Sequence, residues 1–152
     1  MSLKKLSNRV LIEAFCHATE DLNKVKQALL NVIPSEIRNK IVLTREGLKG
    51  YFGNPITIIR ADINDPNKAS LVVKYLAENL SDEDKQVIND TLDLRIDGSG
   101  NLYLRLDKQS AYYGCLRLAP FSDDIIKIKI LLPLSKCGIQ EARRHLKSIG
   151  LI

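Results

Sequence analysis

The chain alternates apolar with polar residues in several short runs, which is the pattern of β-strands that bury one face. The four clearest runs are RVLIEAFCH (9–17), ITIIRADI (56–63), NLYLRLD (101–107) and DIIKIKILL (124–132). In the first, Val10, Ile12, Ala14 and Cys16 share the apolar side. Two shorter runs, KIVLT (40–44) and CLRL (115–118), predict further strands.

Between the strands, apolar residues recur at the three- to four-residue spacing of amphipathic helices. The first predicted helix carries Leu22, Val25 and Leu29 and ends before Pro34. The predicted N-caps are Thr19, Asp65 before Pro66, Ser81 with Asp84 three residues on, and Asp107 before a short helix that Gly114 ends. A last helix runs from Ile139 to a stop at Gly150.

The stretch TLDLRIDGSGNLYLRLD (91–107) predicts a β-hairpin, since two alternating runs flank the turn Gly98-Ser99-Gly100. This register places Arg95 opposite Tyr103 and Asp93 opposite Arg105 on the polar side. Both faces of the hairpin are therefore consistent with one pairing.

These elements predict an α+β fold, in which a mixed, mostly antiparallel sheet has helices packed on one face and water or a ligand on the other. We expect one domain over residues 1–152, with residues 1–7 disordered or derived from a tag. Hydrophobic residues make up 45% of the sequence and charged residues 27%, which is typical of a globular domain.

Composition also narrows the environment of the protein. The three cysteines are far apart and form no C-x-x-C pair, which argues against a disulfide framework or a zinc site and favours the cytoplasm. No run approaches the ~18 apolar residues that a membrane helix needs, so we expect no membrane association.

The polar side of the predicted sheet is mainly basic. The residues expected on it are Arg60, Asp62, Asp93, Arg95, Tyr103, Arg105, Arg117, Lys127 and Lys129, of which six are basic and two acidic. The chain as a whole has a net charge of +5. Cations beside an aromatic ring suit RNA, because the cations bind phosphates and the ring stacks a base. The competing interpretation is an ordinary solvated sheet face, with Tyr103 packing across strands.

The loop KGYFGNP (49–55) contains G-x-x-G, the pattern with which KH domains hold a nucleic-acid backbone. A KH loop joins two helices, whereas this one leads into Pro55 and a strand, and its middle positions are aromatic. We therefore interpret it as a turn with anchored aromatic residues, and keep Lys49 and Asn54 as candidate ligand contacts.

Catalytic and cofactor signals are weak, so we expect no catalytic residue, no metal and no cofactor. The two histidines, His17 and His145, fall in different elements. The turn Asp97-Gly98-Ser99-Gly100-Asn101 begins like a calcium loop, but position twelve is Lys108 instead of glutamate. A dinucleotide fingerprint fails too, because its third glycine would be Tyr103. A magnesium-dependent nuclease built on Asp93, Asp97 and Asp107 is a third, weaker hypothesis.

Three stretches together resemble an archaeal family of RNA-binding proteins described, from genome context, as predicted exosome-associated subunits. They are HATED (17–21), GYFGNPI (50–56) and LYLRLDKQSAYYG (102–114). The resemblance implies a fold similar to the ribosomal protein that binds 5S ribosomal RNA, and RNA binding by Asn54, Arg105, Lys108 and Gln109. Ser110 stands where the family is expected to have alanine.

The sequence therefore predicts a non-catalytic RNA-binding protein, associated with RNA processing by the exosome or with ribosome-related proteins. The predicted contacts are Lys49, Asn54, Arg60, Arg95, Tyr103, Arg105, Lys108, Gln109, Tyr112, Arg117, Lys127 and Lys129, with a base stacked on Tyr103 or Tyr112. The alternative is a protein-interaction subunit or homodimer that makes no direct contact with RNA.

Overall fold

The computed structural model describes residues 6–50, 53–119, 124–134 and 138–152. They form one five-stranded antiparallel sheet in the order β2-β3-β1-β5-β4. The strands are β1 (Arg9–His17), β2 (Leu43–Lys49), β3 (Pro55–Ile63), β4 (Asn101–Asp107) and β5 (Ile125–Leu131). The helices are α1 (Leu22–Leu30), α2 (Pro66–Asn79), α3 (Asp82–Asp90), α4 (Leu92–Arg95), α5 (Lys108–Tyr112) and α6 (Ile139–Ser148), with a 3-10 helix at Ser35–Lys40.

The core lies between one face of this sheet and the helices. On β1, Val10, Ile12 and Ala14 are fully buried, and the register sets Ile12 beside Ala61 of β3 and Ile128 of β5. Buried residues of α1, α2 and α6 belong to the same apolar cluster. The predicted α+β fold, with helices on one side of the sheet, is confirmed.

Short polar side chains begin several helices as the sequence predicts. Asp65 accepts a hydrogen bond from the backbone N–H of Asn67, and Ser81 accepts one from that of Asp84. Asp107 does the same at α5, which ends before Gly114 at a positive φ of 84°.

The start of α1 differs from the prediction. The N-cap is Asp21, which accepts from the N–H of Asn23, and not Thr19. The chain leaves β1 through a turn in which the N–H of Glu20 bonds to the carbonyl of His17. Thr19 lies within that turn, so the helix begins two residues later than the sequence predicts.

The predicted hairpin over 91–107 is wrong in its first half. Residues Leu92–Arg95 form α4, closed by a bond from the N–H of Ile96 to the carbonyl of Leu92, and β4 pairs with β5 instead. Of the predicted first strand, Ile96 alone bridges to β4, at Leu102. Leu94, expected in the core, is 82% exposed. The turn over 97–101 does form, with Gly100 at a φ of 85°.

Two other strand predictions need correction. The strand predicted at 40–44 begins at Leu43 and continues through Gly47 to Lys49 along the edge of the sheet. The stretch CLRL is not a strand, although Leu118 bridges to Leu106 at the outer edge of β4.

Of the stretch 1–7, which we expect to be disordered or derived from a tag, the structure describes Leu6 and Ser7. The backbone N–H groups of Leu6 and Ser7 donate to Ser70 Oγ of α2, and Ser7 is buried. Residues 1–5 lie outside the described part of the chain, as do the aromatic pair of the G-x-x-G loop at 51–52 and Cys137. Of the helices in the described ranges, none is long and apolar enough to span a membrane.

Candidate nucleic-acid interface

The face of the sheet opposite the helices is called here the open face. Its β1 residues are Arg9, Leu11, Glu13, Phe15 and His17, which alternate with the buried residues of that strand. The register continues this face through Arg60 and Asp62 on β3, Thr44 and Glu46 on β2, Lys127 and Lys129 on β5, and Tyr103 and Arg105 on β4. The open face therefore carries charge on every strand.

On the side of β2, β3 and β1, the cations are paired with carboxylates. Arg60 donates from Nε to Glu13 at 2.7 Å and from Nη1 to Glu46 at 2.5 Å, and hydrogen bonds to Glu46 and then Glu13 raise the pKa of its guanidinium. Arg9 binds Asp62 through two nitrogens, at 2.8 and 2.5 Å, which lowers the pKa of that carboxyl. This half of the open face is therefore locally neutralised.

On the side of β5 and β4, the cations surround an aromatic ring instead. The ammonium groups of Lys127 and Lys129 each lie 5.9 Å from the centroid of the Tyr103 ring. Glu13 is directly opposite Lys127 in the register, but its carboxylate is held by Arg60. Arg105, opposite Lys127 on β4, is exposed. We call Tyr103, Arg105, Lys127 and Lys129 the cationic cluster; within the described ranges, none of its cations forms an ion pair with a carboxylate.

The ring at the centre of this cluster is held by Asp97 in the turn before β4. One carboxylate oxygen accepts from the backbone N–H groups of Ser99 and Asn101, and the other accepts from the Asn101 side chain and from Tyr103 Oη at 3.0 Å. The bond from the Asn101 backbone contributes most to lowering the pKa of Asp97 to about 2, and Asp97 in turn raises the pKa of Tyr103. The turn therefore fixes the hydroxyl end of the ring on the open face.

Arg95 does not lie on the open face, because the strand predicted to carry it is α4. Its Nε donates to Thr91 Oγ1 at 2.7 Å within the helical segment. Partial burial, and then the charge of Arg105, lower the pKa of its guanidinium. The two arginines are near enough to interact, but the predicted pairing across a hairpin is absent.

Lys108 points into the protein and not to the rim of the open face. Its side chain is 5% exposed, and its ammonium donates to the carbonyl of Phe15 at 2.8 Å, to Glu20 at 2.8 Å and to Asp124 at 2.8 Å. A buried ammonium with two carboxylate partners does not suit the RNA contact that the resemblance implies for Lys108. Gln109 is exposed and donates to Asp124. Burial raises the pKa of the Asp124 carboxyl, but the hydrogen bonds from Lys108 and Gln109 lower it, and the pKa is lowered as a whole.

The remaining predicted contacts lie apart from the cationic cluster or at its border. Tyr112 is partly buried, with the Lys24 ammonium 6.0 Å from its ring and Tyr113 packed edge-on at 5.1 Å. Arg117 is exposed, and its carbonyl accepts from the N–H of Asp107 along the edge of β4. Lys49, the last residue of β2, and Asn54, which precedes β3, are exposed at the opposite edge of the sheet from β4.

The three carboxylates of the nuclease hypothesis have separate roles. Asp93 is exposed on α4, Asp97 holds the turn, and Asp107 caps α5. Across the described ranges, no group of three or more histidine, cysteine, aspartate or glutamate side chains is arranged to hold a metal ion.

The sequence interpretation missed Arg9 and both of the glutamates that neutralise Arg60. The alternation in RVLIEAF already placed Arg9 and Glu13 on the polar side of β1, so the pattern contained this information. Glu46 could not be found this way, because β2 extends further than its apolar residues indicate.

Together these observations define an α+β protein with one face of its sheet cationic at one end. The chain belongs to the protein family whose model is described as RNA binding, which matches residues 9–132. A relative from Pyrococcus abyssi, named an RNA-binding protein, is 33% identical over 149 residues, covering 95% of this chain and 96% of the relative. An uncharacterized protein from Methanocaldococcus jannaschii is 35% identical over 136 residues, covering 85% and 89%.

A solved structure has a similar fold. The crystal structure of a DUF54 protein from Archaeoglobus fulgidus matches with a TM-score of 0.80 at 27% identity, over 94% of this chain and 99% of that one. The similarity therefore extends over nearly the whole of both chains.

Proposed function

We propose that this protein binds RNA without catalysing a reaction on it, and that the cationic cluster at the β4–β5 end of the open face is the contact surface. The observation that carries this proposal is the uneven charge pairing. Arg9 and Arg60 are neutralised by carboxylates, whereas Lys127 and Lys129 lie over the Tyr103 ring. Arg105 is exposed two residues further along the same face of β4. A membership in a family named for RNA binding supports the same ligand.

The chemistry of the cluster suits an unpaired stretch of RNA. Single-stranded RNA exposes base faces that stack on aromatic rings, and phosphates that bind cations in a groove. Lysine ammonium groups 5.9 Å from a ring centroid are at the outer limit of a cation–π contact, so they are free to move to phosphates. Arg117 extends the cationic surface along the edge of β4.

The proposed contacts are therefore Tyr103, Arg105, Arg117, Lys127 and Lys129. Arg60 and Lys108 are left out because carboxylates pair them. Arg95 is left out because it is a partly buried residue of α4 whose Nε is bonded to Thr91. Lys49, Asn54, Gln109 and Tyr112 stay as predictions for a longer RNA that reaches beyond the cluster.

Salt dependence tests the proposal. Four phosphates on a flexible strand give a slope of about −2.8 in log affinity against log salt, or roughly a 50-fold loss between 50 and 200 mM. Replacing Arg105, Lys127 and Lys129 together with alanine leaves one of these four cations and should reduce the slope to about −0.7. Fluorescence anisotropy with labelled single-stranded and hairpin RNA pools measures both quantities.

A control with the same change in charge separates local contacts from net charge. Lys74 on α2 and Arg144 and Lys147 on α6 are exposed on the helical side of the sheet. The triple alanine variant of these residues should keep the native slope. Equal losses in the two triple variants, or no salt-dependent binding by the native protein, would contradict the proposal.

The proposal includes association with exosome or ribosome-related proteins in the cytoplasm, and a fold related to the 5S-RNA-binding ribosomal protein. Its support is the resemblance carried by HATED, GYFGNPI and LYLRLDKQSAYYG. Capture of tagged protein from native cells, before and after nuclease treatment, tests this association. Partners that survive nuclease, combined with no crosslinked RNA, would favour the alternative of a protein-interaction subunit; light scattering on the purified protein tests the homodimer.

A further inference from the structure

A hollow of about 260 Å³ opens on the open face beside the cationic cluster. It is bounded by the turn before β4 and by the first residues of β1 and the last residues of β5. Its lining residues are Arg9, Leu11, Ser99, Asn101, Lys129 and Leu131. Drug-sized ligands occupy pockets of roughly 300 Å³ and more, so this hollow suits a single flat ring system with its substituents.

The apolar part of the hollow comes from the adjacent strands β1 and β5. Leu11 of β1 lies opposite Lys129 of β5, and Leu131 of β5 lies opposite both Arg9 and Asn101. Both leucines are partly exposed on a face that is otherwise largely charged. Their side chains give an unstacked base an apolar surface in place of its lost neighbours.

Two cationic side chains, Arg9 and Lys129, also line the hollow, and they differ in how firmly other residues hold them. The guanidinium of Arg9 is held by two bonds to Asp62, which fixes the plane of a group that stacks well on bases. The ammonium of Lys129 also reaches the Tyr103 ring, so the hollow and the cationic cluster share a residue. A strand whose phosphates follow the cluster would pass the mouth of the hollow.

The polar edge is set by the Asp97 turn. Because the Asn101 side-chain nitrogen donates to Asp97, its carbonyl oxygen is left as an acceptor, and no partner for it occurs among the described residues. Ser99 adds a hydroxyl that donates or accepts. An amide oxygen beside a hydroxyl matches the adjacent donor and acceptor atoms on the edge of a base.

We infer that this hollow is a nucleobase pocket, which receives one unstacked base and thereby fixes the register of the RNA strand on the cationic cluster. The inference rests on the proposed RNA binding and adds a site to it. Asp97 is a positioning residue in this site, since it orients both the Asn101 amide and the Tyr103 ring.

Titration of ¹⁵N- and methyl-labelled protein with the four nucleoside monophosphates tests the pocket, with ribose 5-phosphate as the matched ligand that lacks a base. We expect at least one nucleotide to shift the Asn101 side-chain amide and the Leu11 and Leu131 methyl signals. Ribose 5-phosphate should shift signals near Lys129 alone. Identical shift patterns from all five ligands would overturn the pocket.

Variants sharpen the test. Replacing Ser99 and Asn101 together with alanine removes two hydrogen bonds, and should weaken nucleotide binding roughly tenfold while leaving ribose 5-phosphate binding unchanged. Asn67→Ala, an exposed change on α2, is the control. The positioning role predicts that Asp97→Asn narrows the difference between nucleotide and ribose 5-phosphate without changing the affinity for the latter.

The outcomes for the two proposals are distinguishable. RNA binding that depends on Arg105 and Lys127 but is unchanged by the Ser99 and Asn101 substitutions would refute the pocket and leave RNA binding by the cluster intact. Salt-independent or absent RNA binding by the native protein would refute the cluster, and with it the pocket.

Discussion

The buried ammonium of Lys108 offers a direct test of the structure, through the variant Lys108→Met. Methionine keeps an unbranched side chain of similar length but cannot donate to Phe15, Glu20 or Asp124. Because the Lys108 side chain is 5% exposed, water cannot easily replace the lost donor. We therefore expect Lys108→Met to lower the folding stability of the protein, although the family resemblance implies that Lys108 is an RNA contact.

The size of the loss follows from the three acceptors. A backbone carbonyl left without its buried donor costs about 1–3 kcal/mol. Glu20 and Asp124 are 25% and 33% exposed, so water partly solvates them and each contributes about 1 kcal/mol, less than in a fully buried pair. The total is about 3–5 kcal/mol, which lowers Tm by roughly 9–15 °C in a chain of this length.

Urea unfolding followed by circular dichroism measures the difference, with thermal melting as a second measurement. Lys74→Met is the matched control, since Lys74 forms an ion pair with Glu78 in which both side chains are 60% exposed. That variant should lose less than about 0.5 kcal/mol. A loss of under 1 kcal/mol for Lys108→Met, or equal losses in the two variants, would refute the assignment of Lys108 to the interior.

Three further predictions test other parts of the molecule. Asp21→Ala should destabilise the protein by about 1 kcal/mol in urea unfolding, whereas Thr19→Ala should not, because Asp21 is the N-cap of α1. Ile128→Ala should cost about 2–5 kcal/mol, since its side chain is fully buried in the middle of the sheet; a loss below 1 kcal/mol would contradict that packing. Asp97 has a folded-state pKa of about 2, below its unfolded value, so its stabilisation is present above about pH 4 and is lost as the pH falls through about 2. After discounting for solvent exposure, Asp97→Ala should be less stable by about 1 kcal/mol at pH 7, and the two unfolding curves should converge below about pH 2.

Sequence patterning was sufficient for the elements whose local signals agree with one another. In β1 burial alternates along all nine residues, and in β3 and β5 it alternates over residues 59–63 and 126–131. Asp65 and Ser81 were found because a capping side chain acts on its own helix, within three residues. These signals need no knowledge of distant contacts.

The segment 92–96 shows where such patterning stops being informative. Leu92 and Ile96 are two strand periods apart, but they are also four residues apart, which is helical spacing. Five residues are too few to tell these two periods apart. In the structure the segment is helical, and Leu92 is fully buried. The basic residue that this error placed on the open face is Arg95.

The sequence indicated which basic residues of the strands lie on the open face better than it indicated their ion pairs. Whether a basic side chain on the open face is neutralised depends on strand neighbours such as Glu13 and Glu46, which are 47 and 14 residues from Arg60. Lys108 meets Glu20 across 88 residues. No local pattern reports such distances, so a basic face read from sequence overstates the number of available cations.

Under the proposed function, the ion pairs of Arg9 and Arg60 also affect where an RNA strand can lie on the sheet. Carboxylates of Glu13, Glu46 and Asp62 lie on the half of the open face that the cationic cluster does not occupy. The three carboxylates outnumber by one the two guanidinium groups that pair with them, so under the proposed RNA binding this half of the face attracts phosphates less than the cationic cluster does. We expect substitution of Glu13 and Glu46 with glutamine to leave the tightest complex nearly unchanged and to admit additional, misaligned ones. Under the proposed function, these acidic residues would confine the RNA to the β4–β5 end of the open face without contacting it.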